Sequence, residues 1–107
     1  MQIQTRSACH LNAGQIAKAL PRVVKPGTRL LFIENVGNLV CPAEFDLGAQ
    51  AAVFVASVPE GHDKPYKYPG MFASADAVLL NKADLIAYFG FDVAYFRRGL
   101  DMVNSDA

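Results

Sequence analysis

The sequence predicts an α/β fold built on a parallel sheet. Three short apolar runs carry this reading: Arg29–Ile33 (RLLFI), Ala52–Val58 (AVFVASV) and Ala77–Leu80 (AVLL). The first is nearly unbroken, the pattern of a strand buried on both faces of a parallel sheet, and the second is rich in Val and Phe, as strands are. The second observation concerns how two of these runs end. Polar clusters, Glu34–Asn38 (ENVGN) and Asn81–Asp84 (NKAD), stand at the carboxyl ends of the first and third runs. Open parallel sheets bind ligands beyond those ends, so both clusters are candidate site segments, expected at one edge of the sheet.

Gln2–Thr5 reads as a short strand with Ile3 as its apolar member. Asn12 suits an N-cap for a helix running to about Leu20, with Ile16, Ala17 and Leu20 at helical spacing, and Pro21 is expected to end it. Lys25-Pro26-Gly27-Thr28 reads as a turn before the first strong strand. The second strand closes at Pro59-Glu60-Gly61, and His62–Gly70 (HDKPYKYPG), with its prolines and tyrosines, is expected to be irregular. Ser74-Ala75-Asp76 leads into the third strand. Asp92 can cap a last helix from Val93 to about Val103, with Phe96, Leu100 and Val103 on one face.

A length of 107 residues supports one domain at most. An apolar content of 52% against 19% charged residues supplies a core and excludes intrinsic disorder. The balance of 10 Lys plus Arg with 10 Asp plus Glu argues against a general nucleic-acid or anionic-membrane binder. Arg6, Lys18, Arg22, Lys25 and Arg29 all precede the first acid, but they are scattered and read as a solvated face. Cys9 and Cys41 are too few for a disulfide scaffold, and a reduced pair fits a cytoplasmic protein. Met1–Arg6 lacks the apolar core of a signal peptide, and no apolar run approaches the ~20 residues of a membrane span. A soluble, cytoplasmic chain is expected.

Three groups of residues carry chemistry. Asn81-Lys82-Ala83-Asp84 after an apolar strand matches the N/T-K-x-D signature of GTPases. The Asp84 carboxylate can accept hydrogen bonds from N1–H and the exocyclic amine of guanine, donors that adenine does not offer there. Asn81 can hold the loop and reach the base edge, while the Lys82 stem lies over the ring. The same four residues also suit a plain helix start, where an acid in the first turn meets the macrodipole. Glu34 ends its strand as a Walker B acid would, with Gly37 completing a D-x-x-G-like turn. A carboxylate there can hold a Mg²⁺-bound water, and Gly37 lets a backbone N–H approach a terminal phosphate. Glu in place of Asp lengthens that reach by one methylene, and a strand end needing a Gly turn is the plainer alternative. Cys9-His10 with Cys41 offers two thiolates and an imidazole, a set suiting Ni²⁺ or Zn²⁺. The residues alone equally allow buried cysteines and a surface histidine. His62 is a further candidate for a fourth ligand.

Taken together, CHLNAGQIAKAL, LLFIENVGNLVCPAEFDLG, SVPEGHDKPYKYPGMF and VLLNKADL resemble the hydrogenase nickel-incorporation GTPases of the HypB family, in collinear order from Gln2 to about Asp92. The resemblance implies a P-loop NTPase fold of SIMIBI type, three-layered around a parallel sheet, with GTP and Mg²⁺ as cofactors. It implies GTP-linked homodimerisation through the metal-site face and delivery of nickel to the large subunit of [NiFe]-hydrogenase alongside other maturation factors. Metal binding then falls to Cys9, His10 and Cys41, guanine recognition to Asn81, Lys82 and Asp84, and the Walker B-like role to Glu34 with Gly37.

No G-x-x-x-x-G-K-[ST] run occurs in these residues, so the phosphate-cradling loop is missing. The segment forming the last strand and completing the guanine pocket in the family is missing as well. Residues 1–107 therefore read as one incomplete GTPase domain, expected by itself to hydrolyse GTP no faster than background. The alternative is a stand-alone nickel- or zinc-binding module without GTPase activity.

Overall fold

The computed structural model describes residues 1–4, 11–35 and 46–107. It divides into two compact units, Met1–Ala49 and Gln50–Ala107.

In the first unit, α1 spans Ala13–Val23. The Asn12 side chain accepts the Gln15 N–H at 3.0 Å, and the Gln15 side chain accepts the Asn12 N–H at 3.0 Å. This is a capping box, in which two otherwise orphaned donors satisfy each other's residues. The expected end at Pro21 is corrected, because the helix runs two residues further with Pro21 inside its last turn. Proline there forfeits one intrahelical bond, and Val24 N–H still closes on the Leu20 carbonyl at 2.9 Å. Ile16 and Ala19 form the buried stripe, and Ala17, expected on it, is exposed. Pro26 and Gly27 then make the expected turn: Thr28 N–H meets the Lys25 carbonyl at 3.0 Å, and Gly27 takes φ +88°, which only glycine adopts without strain.

Two expected strands are not found among the described residues. Neither residues 2–4 nor residues 29–33 form a β-ladder there, and Leu30 and Phe32 are 70% and 85% exposed. An apolar run becomes a strand only when a neighbour supplies its hydrogen bonds. The expectation for Arg29–Ile33 rested on burial that this unit does not provide.

The second unit holds the parallel sheet: β1 (Val53–Ser57) pairs with β2 (Ala77–Asn81), in register from Val53 with Ala77 to Ser57 with Asn81. Asp76 clamps its entrance, accepting the Ala52 N–H at 2.7 Å and donating its own N–H to the Ala52 carbonyl at 2.8 Å. Between the strands lie two short helices, α2 (Lys64–Lys67) and α3 (Pro69–Ala73). The irregular stretch expected over His62–Gly70 is thus corrected. Pro65 and Pro69 sit in the first turns of α2 and α3, where a missing N–H costs nothing and a fixed φ favours the helix. After β2 come α4 (Ile86–Phe89) and α5 (Val93–Val103). Asp92 caps α5 as expected, accepting the Tyr95 N–H at 2.8 Å.

One sheet face packs Phe54, Ala56, Val78 and Leu80 against Phe72, Phe91, Phe96 and Leu100. Phe72 is fully buried, edge-on to Phe54 at 4.7 Å and to Phe96 at 5.8 Å, and truncating such a residue to Ala removes about 3–5 kcal/mol. The Asn104 side chain pins the end of α3 to the end of α5 by donating to the carbonyls of Phe72 and Ala75 at 2.9 and 2.7 Å. The opposite face carries Val53, Val55 and Leu79, each more than half exposed, so these strands are buried on one face within the unit. Among the described residues, no helix is long and apolar enough to cross a membrane.

Candidate functional site

Both strands deliver their last residues to the same end of the sheet, because the pair is parallel. At the end of β2 the chain turns sharply. Lys82 takes the left-handed conformation (φ 58°, ψ 41°), the one non-glycine residue with positive φ among those described. A non-glycine residue there is held against its preference. The Asn81 side-chain oxygen provides the hold by accepting the Lys82 N–H at 2.8 Å. Leu85 N–H then closes on the Lys82 carbonyl at 3.0 Å, and Ala83–Leu85 form one 3-10 turn. Asn81, Lys82 and Asp84 are brought together on this turn, and all three are exposed to solvent. The result is an exposed carboxylate, a carboxamide and an aliphatic stem ending in a cation, presented on a strained turn beyond a strand.

At the end of β1, Ser57 stands in register with Asn81. Its hydroxyl is buried and has no hydrogen-bond partner among the described residues. Beyond it, Val58–Glu60 make a 3-10 turn, and Gly61 at φ +99° redirects the chain into α2. Glu60, His62, Lys64, Lys67, Phe89 and Phe91 line a cavity of about 290 Å³ there. Asp63 and Lys67 pair at 2.5 Å one helical turn apart. Their hydrogen bond holds the Asp63 carboxyl below the usual carboxylate range and the Lys67 ammonium above the usual lysine range.

His62 is committed elsewhere. Its Nδ1 accepts the Asp92 N–H at 3.0 Å, which leaves the ring proton on Nε2, and its ring meets Phe91 and Tyr95 edge-on at 5.6 and 5.3 Å. An imidazole so engaged has no free lone pair for a metal, so the geometry does not support His62 as a fourth ligand. Tyr66 fastens α2 to α5. Its hydroxyl donates to the Tyr95 carbonyl at 3.1 Å, and the two rings lie 4.5 Å apart. The ring rests on Gly99, where a Cβ would approach Tyr66 Cε2 to 2.5 Å.

In the first unit, Glu34 is exposed at the end of its segment. The neighbouring Asn35 accepts the Leu11 N–H at 3.0 Å through its side-chain oxygen. This ties the ENVGN segment to the residue before the Asn12 cap. Gly37, Cys9, His10 and Cys41 lie outside the described residues. Among the described residues, no three His, Cys, Asp or Glu side chains gather as a metal site would require.

Sequence reasoning passed over Ser57, Asn35 and the Tyr66–Gly99 contact. A glycine at the centre of an otherwise good helix was the available signal for the last of these. The first two depend on partners about two dozen residues away.

The whole chain, residues 1–107, matches the family described as CobW/HypB/UreG, nucleotide-binding domain. It is 58% identical over 93 residues to the hydrogenase maturation factor HypB of Escherichia coli, covering 87% of this chain and 32% of that protein. It is 44% identical over 110 residues to the hydrogenase/urease maturation factor HypB of Helicobacter pylori, covering 99% of this chain and 46% of that protein. The crystal structure of HypB from Helicobacter pylori in complex with nickel superposes with a TM-score of 0.95 at 43% identity, covering all of this chain and 52% of that one. The HypB structure from Archaeoglobus fulgidus gives a TM-score of 0.92 at 40% identity, covering 99% and 56%. This chain therefore spans a third to a half of the length of these curated relatives.

Proposed function

Since the chain belongs to the CobW/HypB/UreG nucleotide-binding domain family, we propose that it is the guanine-reading and nickel-holding portion of a HypB-type hydrogenase maturation GTPase. The observation that carries the reading is the NKAD turn, where a strained left-handed Lys82, held by Asn81, presents an exposed Asp84 beyond a parallel strand. Strain persists where the surroundings enforce it, and a plain helix start has no need of it. Asp84 reads guanine by accepting from N1–H and the 2-amino group. Asn81 braces the turn and meets the base edge, and the Lys82 stem covers the ring.

Nickel is the cargo in this proposal. Cys9, His10 and Cys41 supply two thiolates and an imidazole, a donor set that fits Ni²⁺ or Zn²⁺. The likeness to a HypB solved in complex with nickel supports Ni²⁺. Three protein ligands leave a position open for a partner's group, which suits transfer better than permanent storage. Glu34 and Gly37 take the Walker B-like role toward Mg²⁺ and a terminal phosphate in the longer protein, a cytoplasmic homodimer that serves the hydrogenase large subunit. Residues 1–107 form one part of its GTPase domain.

The guanine assignment is tested by exchanging the acceptor. Asp84→Asn replaces a carboxylate oxygen with an N–H donor, which opposes the 2-amino group of guanine and meets the 2-oxo group of xanthine. Binding of GDP should fall roughly a hundredfold, the worth of two charge-assisted hydrogen bonds, while xanthosine diphosphate gains affinity. Equal GDP binding by Asp84→Asn and the parent chain would remove the reading.

A further inference from the structure

Resting on the guanine reading above, we infer that Ser57 is a positioning residue for the base-recognition turn, holding the Asn81 carboxamide when guanine is bound. Ser57 ends β1 in register with Asn81, and neighbouring strands run about 4.8 Å apart, so the two side chains rise from adjacent backbone on one sheet face. The Ser57 hydroxyl is buried and has no partner among the described residues. A buried hydroxyl without a partner is unfavourable, and native folds leave few of them.

The neighbouring carboxamide is the complementary half. Asn81 Oδ1 is taken by the Lys82 N–H, and among the described residues neither hydrogen on its Nδ2 has an acceptor. A base edge can use one of those donors. The other is left for an acceptor beside it, and a single χ1 turn of Ser57 brings the hydroxyl lone pairs toward it. Three hydrogen bonds then fix the carboxamide plane: Lys82 N–H to Oδ1, Nδ2 to the base, and Nδ2 to Ser57. Ser57 touches no ligand in this scheme. Its contribution is to remove the rotational freedom of the group that does.

The test compares Ser57→Ala and Ser57→Thr with the parent chain. GDP is titrated while the amide resonances of Lys82 and Ala83 are followed, and the nucleotide-free melting temperature is recorded alongside. Ser57→Ala should bind GDP about tenfold more weakly, the worth of one positioned hydrogen bond. Its nucleotide-free melting temperature should be unchanged or higher, because an orphaned hydroxyl has been removed. Ser57→Thr, which keeps the hydroxyl, should bind as the parent does. Parent-like GDP affinity in Ser57→Ala, with Asp84→Asn still losing GDP, overturns the role of Ser57 and leaves the guanine reading standing. A lowered melting temperature in nucleotide-free Ser57→Ala overturns it too, because the hydroxyl would then be structural. A parent chain whose Lys82 and Ala83 resonances respond to GDP and ADP alike overturns the guanine reading and with it the role of Ser57.

Discussion

Replacing Gly99 with alanine should destabilise this protein, although the same change favours a helix almost anywhere else. Gly99 lies inside α5, where Gly→Ala ordinarily contributes about 0.8–1.0 kcal/mol of stability. Here the new methyl group would sit 2.5 Å from Tyr66 Cε2 and 2.8 Å from Cζ, so the ring must leave. Its departure breaks the hydroxyl bond to the Tyr95 carbonyl, about 1 kcal/mol, and the ring contact with Tyr95, about 0.5–1.5 kcal/mol. The balance is about 1 kcal/mol of destabilisation, or roughly 4–8 °C in melting temperature for a unit of this size. The control reverses the sign. In a Tyr66→Ala background the obstacle is gone, and Gly99→Ala should stabilise by about 0.8 kcal/mol. Thermal or urea unfolding of the four chains closes the cycle, with a coupling near 2 kcal/mol expected from these terms. Gly99→Ala stabilising both backgrounds equally would show that the Tyr66 ring does not rest on α5, and that α2 beside the cavity is not anchored there.

Two further outcomes are set by the charges and the donor set. The depressed Asp63 pKa means that its pairing with Lys67 contributes above the unfolded carboxylate pKa and is lost as pH falls through the folded value; the raised Lys67 pKa means loss only as pH climbs past the lysine range. The melting-temperature difference between the parent and Asp63→Asn should therefore be flat around neutrality and shrink at both extremes. It should also shrink in high salt, because both partners are solvent-exposed. Titrating the reduced chain with Ni²⁺ should raise a thiolate charge-transfer band in the near ultraviolet that weakens as pH falls and disappears in Cys41→Ala. A band unchanged by Cys41→Ala would exclude that cysteine as a ligand.

Sequence alone determined the features whose causes lie within a few residues. Asn12 with Gln15 and Asp92 with Tyr95 announce helix starts because a cap closes over three residues. The turn at Pro26-Gly27 arises from two dihedral constraints side by side. The runs over Ala52–Val58 and Ala77–Leu80 became β1 and β2, and the NKAD cluster fell at the end of β2 and just beyond it, because strand composition and the polar stop after it are written consecutively. The features that required the tertiary structure depend on partners far along the chain. Arg29–Ile33 has the composition of a buried strand, yet forms no ladder among the described residues, since pairing belongs to two segments and not to one. Pro65 and Pro69 begin helices instead of breaking the chain into a loop, a distinction set by the position each occupies in a turn. His62 offers a metal-ligand nitrogen by composition, but the Asp92 amide 30 residues later takes it. Tyr66 and Gly99 explain one another only across 33 residues, and Ser57 acquires its meaning from the register that sets it beside Asn81. Local dihedral preference and capping chemistry are readable in order along the chain, whereas hydrogen-bond satisfaction and close packing are decided by whatever residue the fold brings alongside.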